Sequence, residues 1–361
     1  MSKKRLAAQI AREVGTPALV VDLDVVERNI AKAQAYCNAA KIKSRPHIKT
    51  HKSAFFAKMQ IDSGATGITC QKLGEAEIMA AAGMTDILVT YNLLGEEKVG
   101  RLGRLLQTTN VTAVADNPVT ISGLPRAAEI GGRTLDVVIE CDTGRKRAGV
   151  ESVGEAIELA RVIALTPGLS FAGFVFYPPD QQMSGSQRFL DDALRGVREH
   201  GLEPRIVSTG GTPNLSQLGD LKGMTEHRAG TYIFNDRMMM AKGMASLEDC
   251  AVTVVTTIVS RAGPERGIMD AGSKTLTSDT GGGLEGFGHV IEYPNIQVAG
   301  FAEEHGFLDL SKSNDRPQVG TVMNVIPNHV CVVVNMFDRI VLTRDFEIIG
   351  DTPIEARGKI I

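Results

Sequence analysis

The sequence lacks several features that would assign it to a specialised class of protein. It has no tryptophan, and 39 Lys and Arg nearly balance 42 Asp and Glu, which leaves a net charge of −3. Nucleic-acid-binding domains usually carry a basic surplus, so we expect no nucleic-acid partner. The apolar stretches are short and interrupted, which predicts no membrane-spanning helix and no membrane partner. What remains is an ordinary globular composition with 43% hydrophobic residues.

Cysteine is scarce and irregularly placed. The five cysteines lie between Cys37 and Cys331 and form neither a disulfide framework nor a Cys-x-x-Cys pair. The N-terminal stretch is basic, but it lacks the apolar core and the cleavage site of a signal peptide. These absences favour a cytoplasmic protein.

Strand-like and helix-like segments alternate over most of the chain. The apolar, β-branched runs are Ala18–Asp22, Ile42–Ile48, Thr66–Cys70, Ile87–Thr90, Val111–Ala115, Val137–Cys141, Phe171–Tyr177 and Ile206–Ser208. Eight such runs separated by helical spacing predict a (β/α)₈ TIM barrel over residues 17–245. Because periodicity does not show whether a sheet closes, an open doubly wound sheet is the alternative.

The pattern changes after Ser246. Strand-like runs follow one another with Gly and Pro turns between them, at Ala251–Ser260, Gly267–Asp270, His289–Glu292, Val319–Val325, Val330–Met336 and Arg339–Leu342. No helical segment is predicted between them. Residues 246–361 therefore read as a C-terminal antiparallel β-domain, against which residues 1–16 could pack.

A basic cluster, Arg45–Lys52, ends the second strand-like run. In an extended chain residues two apart share a face, so Arg45, His47, Lys49 and His51 would project together. Neighbouring cations lower the pKa of a lysine, and the neutral amine is the form that adds to a carbonyl carbon. Lys49 is therefore a candidate Schiff-base lysine, the alternative being a solvated basic turn.

Glycines and hydroxyl residues form a second cluster. Ser208-Thr209-Gly210-Gly211-Thr212 follows the last strand-like run of the barrel, and Gly230-Thr231-Tyr232 follows soon after. Glycine lets backbone N–H groups approach a phosphate, and TIM barrels often bind phosphate after strands seven and eight. Gly-Gly turns are common, but together with a reactive lysine the cluster points to pyridoxal 5′-phosphate (PLP).

A third pattern lies in the predicted β-domain. His329 and Cys331 are two apart in a strand-like run, so imidazole and thiolate would project from one face and could share a metal ion. Two ligands are half of a structural zinc site, so such a site would be catalytic and completed by water and substrate. The alternative is a core cysteine beside a histidine in a turn.

These motifs, in this order, resemble the D-threonine aldolase / D-serine dehydratase group of fold-type III PLP enzymes, which have an alanine-racemase-like fold. The matching segments cover nearly the whole chain: Thr16–Asp22, Arg45–Lys52, Cys70–Lys72, Glu140–Gly149, Gly210–Thr212, Ala229–Tyr232, Asp270–Lys274, Glu304–Gly306, His329–Cys331 and Ala356–Gly358.

The resemblance implies a role for each matching residue. Lys49 would bind PLP covalently and act as a base, with His47, Arg147 and Tyr177 around the cofactor ring. The phosphate would lie among Thr209, Gly210, Gly211, Thr212, Gly230, Thr231 and Tyr232. His329 and Cys331 would bind a divalent metal that contacts the substrate hydroxyl. The resemblance also implies a homodimer with the active site at the subunit interface.

Two departures from the family pattern bear on the reaction. The family's aldolases often have an acidic second metal ligand, whereas Cys331 resembles the zinc-dependent dehydratases; thiolate favours zinc over manganese or magnesium. The segment after Tyr177 also lacks a histidine that the well-known members carry, which would leave His305 or a metal-bound water to assist the β-hydroxyl chemistry.

The favoured activity is a low-specificity D-threonine aldolase that cleaves D-β-hydroxy amino acids to glycine and an aldehyde. A dehydratase that gives a 2-oxo acid and ammonia uses the same residues and is the alternative. A non-catalytic PLP carrier would lack the β-domain, and a racemase would need a second base and no metal.

Overall fold

The structure is a computed structural model that describes residues 3–361, and these residues form two compact units. The barrel unit comprises Lys32–Lys49, Ala54–Gly230 and Gly358–Ile361. The sheet unit comprises the described residues up to Ala31, Thr50–Ser53 and Thr231–Arg357. No helix within residues 3–361 is long and apolar enough to cross a membrane.

Up to Arg228 the chain alternates strands and helices. The strands are β1 (Ala18–Asp22), β2 (Lys43–Ser44), β3 (Ile68–Cys70), β4 (Asp86–Val89), β5 (Asn110–Ala115), β6 (Leu135–Cys141), β7 (Leu169–Phe176), β8 (Ile206–Gly210) and β9 (Glu226–Arg228). The helices are α1 (Lys3–Glu13), α2 (Leu23–Ala40), α3 (Ala54–Asp62), α4 (Leu73–Ala81), α5 (Glu96–Leu106), α6 (Pro118–Gly131), α7 (Val153–Leu165) and α8 (Gln187–Glu199).

Strands β2 to β9 form the barrel. They pair in parallel in the order β2-β9-β8-β7-β6-β5-β4-β3. A parallel bridge between His47 and Thr69 joins the segment after β2 to β3, so the two ends of the sheet meet. The strands are buried on both faces, as parallel sheets flanked by helices require. The predicted (β/α)₈ barrel is confirmed.

The second half of the sheet unit is mainly antiparallel. Its elements are α9 (Arg237–Ala241), β10 (Val252–Arg261), β11 (Arg266–Met269), α10 (Ser273–Leu276), β12 (Gly288–Val290), β13 (Gln297–Phe301), β14 (Gly306–Asp309), β15 (Val322–Pro327), α11 (Val330–Val334), β16 (Arg339–Arg344) and β17 (Glu347–Pro353). The strand order is β11-β14-β13-β12-β15-β10-β1-β16-β17. The predicted antiparallel β-domain is confirmed, whereas the expected absence of helices is wrong because α10 and α11 interrupt it.

Two strands were predicted wrongly. Ala18–Asp22, predicted as the first barrel strand, pairs antiparallel with β10 and parallel with β16 in the sheet unit. Its apolar residues are buried on both faces, so their pattern does not distinguish a barrel strand from a strand of this sheet. The eighth barrel strand is Glu226–Arg228, which was missed because Glu-His-Arg has none of the apolar character of a buried strand.

Buried ionic groups replace apolar packing at one end of the barrel. Arg45 donates through Nε to Glu226 (2.8 Å) and through Nη1 to Asp86 (2.7 Å), and both Arg45 and Glu226 are buried. The predicted common face of Arg45 and Lys49 is therefore wrong, because Arg45 is held by acids of β9 and β4. Removal of one partner of such an ion pair destabilises the folded protein, because it leaves a buried, uncompensated charge.

We predict that Arg45→Met lowers the free energy of unfolding by about 3–5 kcal/mol, because Glu226 would keep a buried charge without its partner. Urea denaturation of the purified protein measures this difference. Arg133→Met is the matched control, since Arg133 is exposed and should change stability by less than about 0.5 kcal/mol. Equal stability of the two variants would contradict the prediction.

Candidate active site

Lys49 lies in a tight turn directly after the first barrel strand. The chain leaves β2, and Ile48–Thr50 form a single 3₁₀ turn. The backbone N–H of Lys49 donates to Nδ1 of His47 at 3.4 Å, and the Lys49 side chain is half-buried. The extended geometry predicted for this segment is wrong, because the turn replaces it; His51 packs instead edge-on against Phe234 in the sheet unit.

His47, two residues before Lys49, is a neutral hydrogen-bond donor with a defined tautomer. Its Nε2 lies 3.2 Å from Oε1 of Gln71, whose amide nitrogen donates to the carbonyl of Thr90 (2.8 Å). Because this bond turns Oε1 toward the imidazole, Nε2 of His47 carries the hydrogen and Nδ1 accepts from Lys49. Burial, and then the charges of Lys49 and Arg228, hold the pKa of His47 well below its ordinary value. The ring therefore adds no charge to the barrel unit's site.

An arginine–tyrosine stack follows β7. Tyr177 lies under two guanidinium groups, with Cζ of Arg145 at 4.2 Å and Cζ of Arg147 at 4.8 Å from the ring centroid. Arg145 is fixed by Asp180 (2.6 Å), and Arg147 donates to Glu140 (3.2 Å). Cation–π contacts of this kind hold the tyrosine ring in one orientation.

Asp142 shapes the loop that carries both arginines. Its carboxylate accepts backbone N–H bonds from Gly144 and Arg145 (both 2.7 Å) and from Arg147 (2.9 Å). Burial raises the pKa of Asp142, but these backbone hydrogen bonds outweigh it and the net pKa is lowered. The loop is thus built around an ionised carboxylate that orients Arg145 and Arg147.

The predicted phosphate loop packs against the same tyrosine. Gly211 has φ of +102°, and a Cβ on it would lie 3.0 Å from Cε2 of Tyr177, so no larger residue fits without displacing the ring. Gly210 and Thr212 flank it, and Thr212 begins a short 3₁₀ helix. The loop follows β8, the seventh barrel strand, and Gly230 follows the eighth. These are the positions where TIM barrels commonly bind phosphate.

The predicted phosphate residues do not all contribute a side chain there. The Thr209 hydroxyl lies 2.9 Å from Nδ1 of His227, whose Nε2 lies 3.1 Å from the carbonyl of Gly211. Thr231 and the buried Tyr232 lie in a one-turn helix of the sheet unit, and the Thr231 hydroxyl is 3.8 Å from Sγ of Cys331. His305, the predicted assisting group, is exposed between β13 and β14.

Arg228 is a functional candidate that was not predicted from the sequence. It is buried in β9, and it donates through Nε to the hydroxyl of Ser208 (2.8 Å) and through Nη2 to the carbonyl of Phe176 (2.8 Å). The sequence feature that could have identified Arg228 is its position directly before Ala229–Tyr232, in a run that is too polar for an ordinary buried strand.

The donors of the barrel unit fit an anionic cofactor. Lys49, Arg147 and Arg228 all exert a positive field on His47, and Glu140 accepts a hydrogen bond from the guanidinium group of Arg147. Burial raises the pKa of Glu140. A surplus of positive charge beside a glycine turn suits a phosphate ester such as PLP.

His329 and Cys331 are neighbours in the sheet unit, although the local structure was predicted wrongly. Val330–Val334 is a short helix, with His329 as its N-cap, and not a strand. The valine-rich sequence favours a strand, but the carboxylate of Asp236 accepts the backbone N–H of Val330 (3.0 Å) and stabilises a helix N-terminus there. Tertiary contacts override the local preference.

The surroundings of each side chain shift its pKa toward the charged form. Burial lowers the pKa of His329, but its hydrogen bond to Cys331 and the thiolate charge outweigh this and raise it to about 9. Burial raises the pKa of Cys331, whereas hydrogen bonds from His329 and from Thr50 (Oγ1–Sγ 3.2 Å) lower it overall.

The donor set fits a metal ion with open coordination positions. No group of three or more His, Cys, Asp or Glu side chains arranged for a metal occurs within residues 3–361. Imidazole and thiolate are typical zinc ligands, and a site with few protein ligands leaves room for water and substrate. The pair therefore suits a catalytic rather than a structural ion.

Comparison with protein-family models identifies two matching regions. Residues 21–238 match the alanine racemase N-terminal domain, and residues 251–343 match a putative serine dehydratase domain. The first match covers more than half of the chain. The chain belongs to the alanine-racemase-like family of fold-type III PLP enzymes. The resemblance inferred from the sequence motifs is confirmed, and the family implies PLP as the cofactor.

Several relatives of the family match over nearly the full chain. D-threonine aldolase of Arthrobacter sp is 30% identical over 96% of this chain and 93% of its own. The 3-hydroxy-D-aspartate aldolase of Paracoccus denitrificans is 32% identical over the same shares. The D-threo-3-hydroxyaspartate dehydratase of Delftia sp. is 32% identical over 88% of this chain and 90% of its own.

Solved structures of the family show the same fold. The crystal structure of D-threonine aldolase from Filomicrobium marinum superposes with a TM-score of 0.89, at 28% identity over 96% of both chains. A cysteine-to-alanine mutant of D-threo-3-hydroxyaspartate dehydratase, solved in the metal-free form, has a TM-score of 0.85 at 28% identity, over 94% of this chain and 98% of its own.

Proposed function

We propose that this protein is a PLP- and divalent-metal-dependent lyase, a low-specificity D-threonine aldolase that cleaves D-β-hydroxy amino acids to glycine and an aldehyde. The full-length similarity to two aldolases supports this activity. The observation that carries the proposal is the succession of Lys49 and Thr50 in the chain. The Thr50 hydroxyl contacts Cys331, so the residue after the proposed cofactor lysine contacts a proposed metal ligand.

The barrel unit supplies the proposed cofactor site. Lys49 would hold PLP covalently, and Gly210, Gly211, Thr212 and Gly230 would receive its phosphate. His47, Arg147 and Tyr177 would contact the ring, while Thr209 would support the glycine loop, since its hydroxyl contacts His227. PLP, when bound, stabilises the electron pair that a broken bond leaves on the substrate Cα.

The sheet unit supplies the proposed metal ligands, His329 and Cys331. Zinc is the preferred ion because a thiolate ligand is soft, and manganese or magnesium would bind less well. The ion would polarise the β-hydroxyl of the substrate. In the aldolase reaction a base would remove the hydroxyl proton, the Cα–Cβ bond would break to release the aldehyde, and Cα would then take up a proton to complete glycine; His305 or a metal-bound water is the proposed base.

A dehydratase is the second candidate, and Cys331 is the observation that favours it. The histidine and the cysteine mutated in two structures of D-threo-3-hydroxyaspartate dehydratase are two residues apart, as His329 and Cys331 are, and the structure of the cysteine mutant is in the metal-free form. In this reaction Lys49 would remove the Cα proton, hydroxide would leave Cβ, and hydrolysis would release a 2-oxo acid and ammonia.

Product analysis with D-threonine separates the two reactions. We expect equal amounts of glycine and acetaldehyde, measured by amino-acid analysis and by an alcohol-dehydrogenase-coupled assay, and no product from L-threonine. Formation of 2-oxobutanoate and ammonia would show that the protein is a dehydratase and not an aldolase. Conversion of D-alanine to L-alanine, with neither reaction of D-threonine, would show that the protein is a racemase and would reject both lyase activities.

Two further proposals follow from the family resemblance and the composition. A homodimer with its active site at the subunit interface is the proposed assembly, and sedimentation equilibrium measures its mass directly. A cytoplasmic location is the proposed compartment, on the basis of the scattered cysteines.

A further inference from the structure

The imidazole of His329 is held from its far side by an aspartate. Nδ1 of His329 lies 2.7 Å from Oδ2 of Asp279, and the other carboxylate oxygen of Asp279 accepts the backbone N–H of Gly281 (2.8 Å). Both carboxylate oxygens act as acceptors, because an aspartate carboxylate carries no hydrogen to donate. Nδ1 of His329 is therefore the donor, and Nε2 is the nitrogen left for a metal.

The loop that carries Asp279 is fastened to the residue before His329. The buried amide of Asn328 donates to the carbonyl oxygens of Asp279 (3.2 Å) and Gly286 (2.8 Å), and so closes the two ends of this loop. Arg237 in turn donates to Oδ1 of Asn328 (2.6 Å) and to the carbonyl of Glu285 (3.0 Å). The position of Asp279 relative to His329 is thus set by four hydrogen bonds from the side chains of Asn328 and Arg237.

A second aspartate fixes the turn that carries Cys331. Asp236 is fully buried; its Oδ2 accepts from the backbone N–H of Val330 (3.0 Å) and its Oδ1 from that of Met239 (2.9 Å). One carboxylate therefore caps both α9 and α11. Because Val330 stands between His329 and Cys331, this cap holds the backbone that separates the two proposed ligands.

We propose that Asp279 is a positioning residue of the metal site: it fixes the Nδ1–H tautomer and the ring orientation of His329, and the loop Asp279–Gly286 exists to present it. This inference rests on the proposed metal dependence. Carboxylate–histidine–metal arrangements raise ligand basicity, and their loss weakens metal binding by roughly 10–100-fold. Both side chains of the pair are partly exposed, at 26% and 34%, so the pair contributes little to folding.

Asp279→Asn tests the role without changing the size of the side chain. The asparagine amide can donate to Nδ1 and so stabilise the wrong tautomer, which leaves Nε2 protonated and unable to bind a metal. We expect the zinc dissociation constant, measured by competition with a chromophoric chelator, to rise roughly 10–100-fold. The cobalt–thiolate absorption of the cobalt-loaded protein should shift or weaken, while the melting temperature and the PLP content stay those of the wild type.

Asp279→Glu and Asp345→Asn complete the experiment. The glutamate keeps a carboxylate acceptor and should restore zinc binding to within a few-fold of the wild type. Asp345 is exposed in the same unit, so its substitution is the matched control and should leave zinc binding unchanged. Equal zinc affinity of Asp279→Asn and wild type, or a lower melting temperature with unchanged affinity, overturns the positioning role alone. A wild type that binds no zinc overturns the metal dependence instead.

Discussion

Replacing Lys49 by alanine should abolish the covalent attachment of PLP and lower the lyase activity by about 10³-fold or more, because the proposed function makes this one side chain both cofactor anchor and base. The visible absorption band of the wild-type protein should be absent from the variant. Borohydride reduction of the wild type, followed by peptide mass analysis, should place the modified lysine in the segment that contains His47 and Lys49.

Lys43→Ala is the control for this experiment. Lys43 lies in β2, six residues before Lys49, but its side chain is exposed, so its loss should change neither the absorption nor the rate. A Lys49→Ala protein that still forms a borohydride-stable lysine adduct would assign the anchor to another lysine and refute the role of this turn.

Removing the metal should stop turnover and leave the cofactor in place. The proposed ligands lie in the sheet unit and Lys49 in the barrel unit, so dialysis against a chelator should lower activity by at least about 10²-fold with an unchanged visible band. Cys331→Ala should have the same effect. Cys331→Asp should keep part of the activity with manganese, since an oxygen ligand suits the harder ion.

The melting temperature of the chelated protein distinguishes a catalytic metal ion at His329 and Cys331 from a structural one. A structural zinc contributes to folding, so chelation would lower the melting temperature and release PLP together. Cys250→Ala is the matched control, because Cys250 is a buried cysteine of the same unit and no proposed ligand; it should retain turnover and metal. Full turnover of metal-free protein would falsify the metal-assisted reaction.

The barrel could be predicted because its strands are apolar and regularly spaced, but its polar interior could not. Glu226–Arg228 has the composition of a surface segment, and it becomes a buried strand because Arg45 pairs with Glu226, Thr209 with His227 and Ser208 with Arg228. Each partner is remote in sequence. A single sequence does not reveal such pairing, so both the eighth strand and the buried Arg228 escaped prediction.

For the proposed metal ligands, His329 and Cys331, the sequence predicted that the two side chains lie close together, but it did so from the wrong local structure. A spacing of two residues in a strand would place His329 and Cys331 on one face. In the structure they are neighbours because His329 is the N-cap of a helix and Cys331 lies in its first turn. Asp279 lies 50 residues away in a glycine-rich loop, and its contact with His329 depends on Asn328 and Arg237. Only the fold brings these side chains together.

The pairing of β1 has a consequence for synthesis of the protein on the ribosome. Val20 in β1 pairs with Thr253 and Val341, so its second partner is translated about 320 residues later. At about 5–20 residues per second this delay is on the order of 15–60 s. All eight barrel strands are translated before β10 and β16, so the apolar strand Ala18–Asp22 lacks both strand partners while the barrel strands are made. A nascent chain stalled after Gly243 should therefore bind a chaperone that recognises short hydrophobic segments, and release it once Arg339–Arg344 has been made.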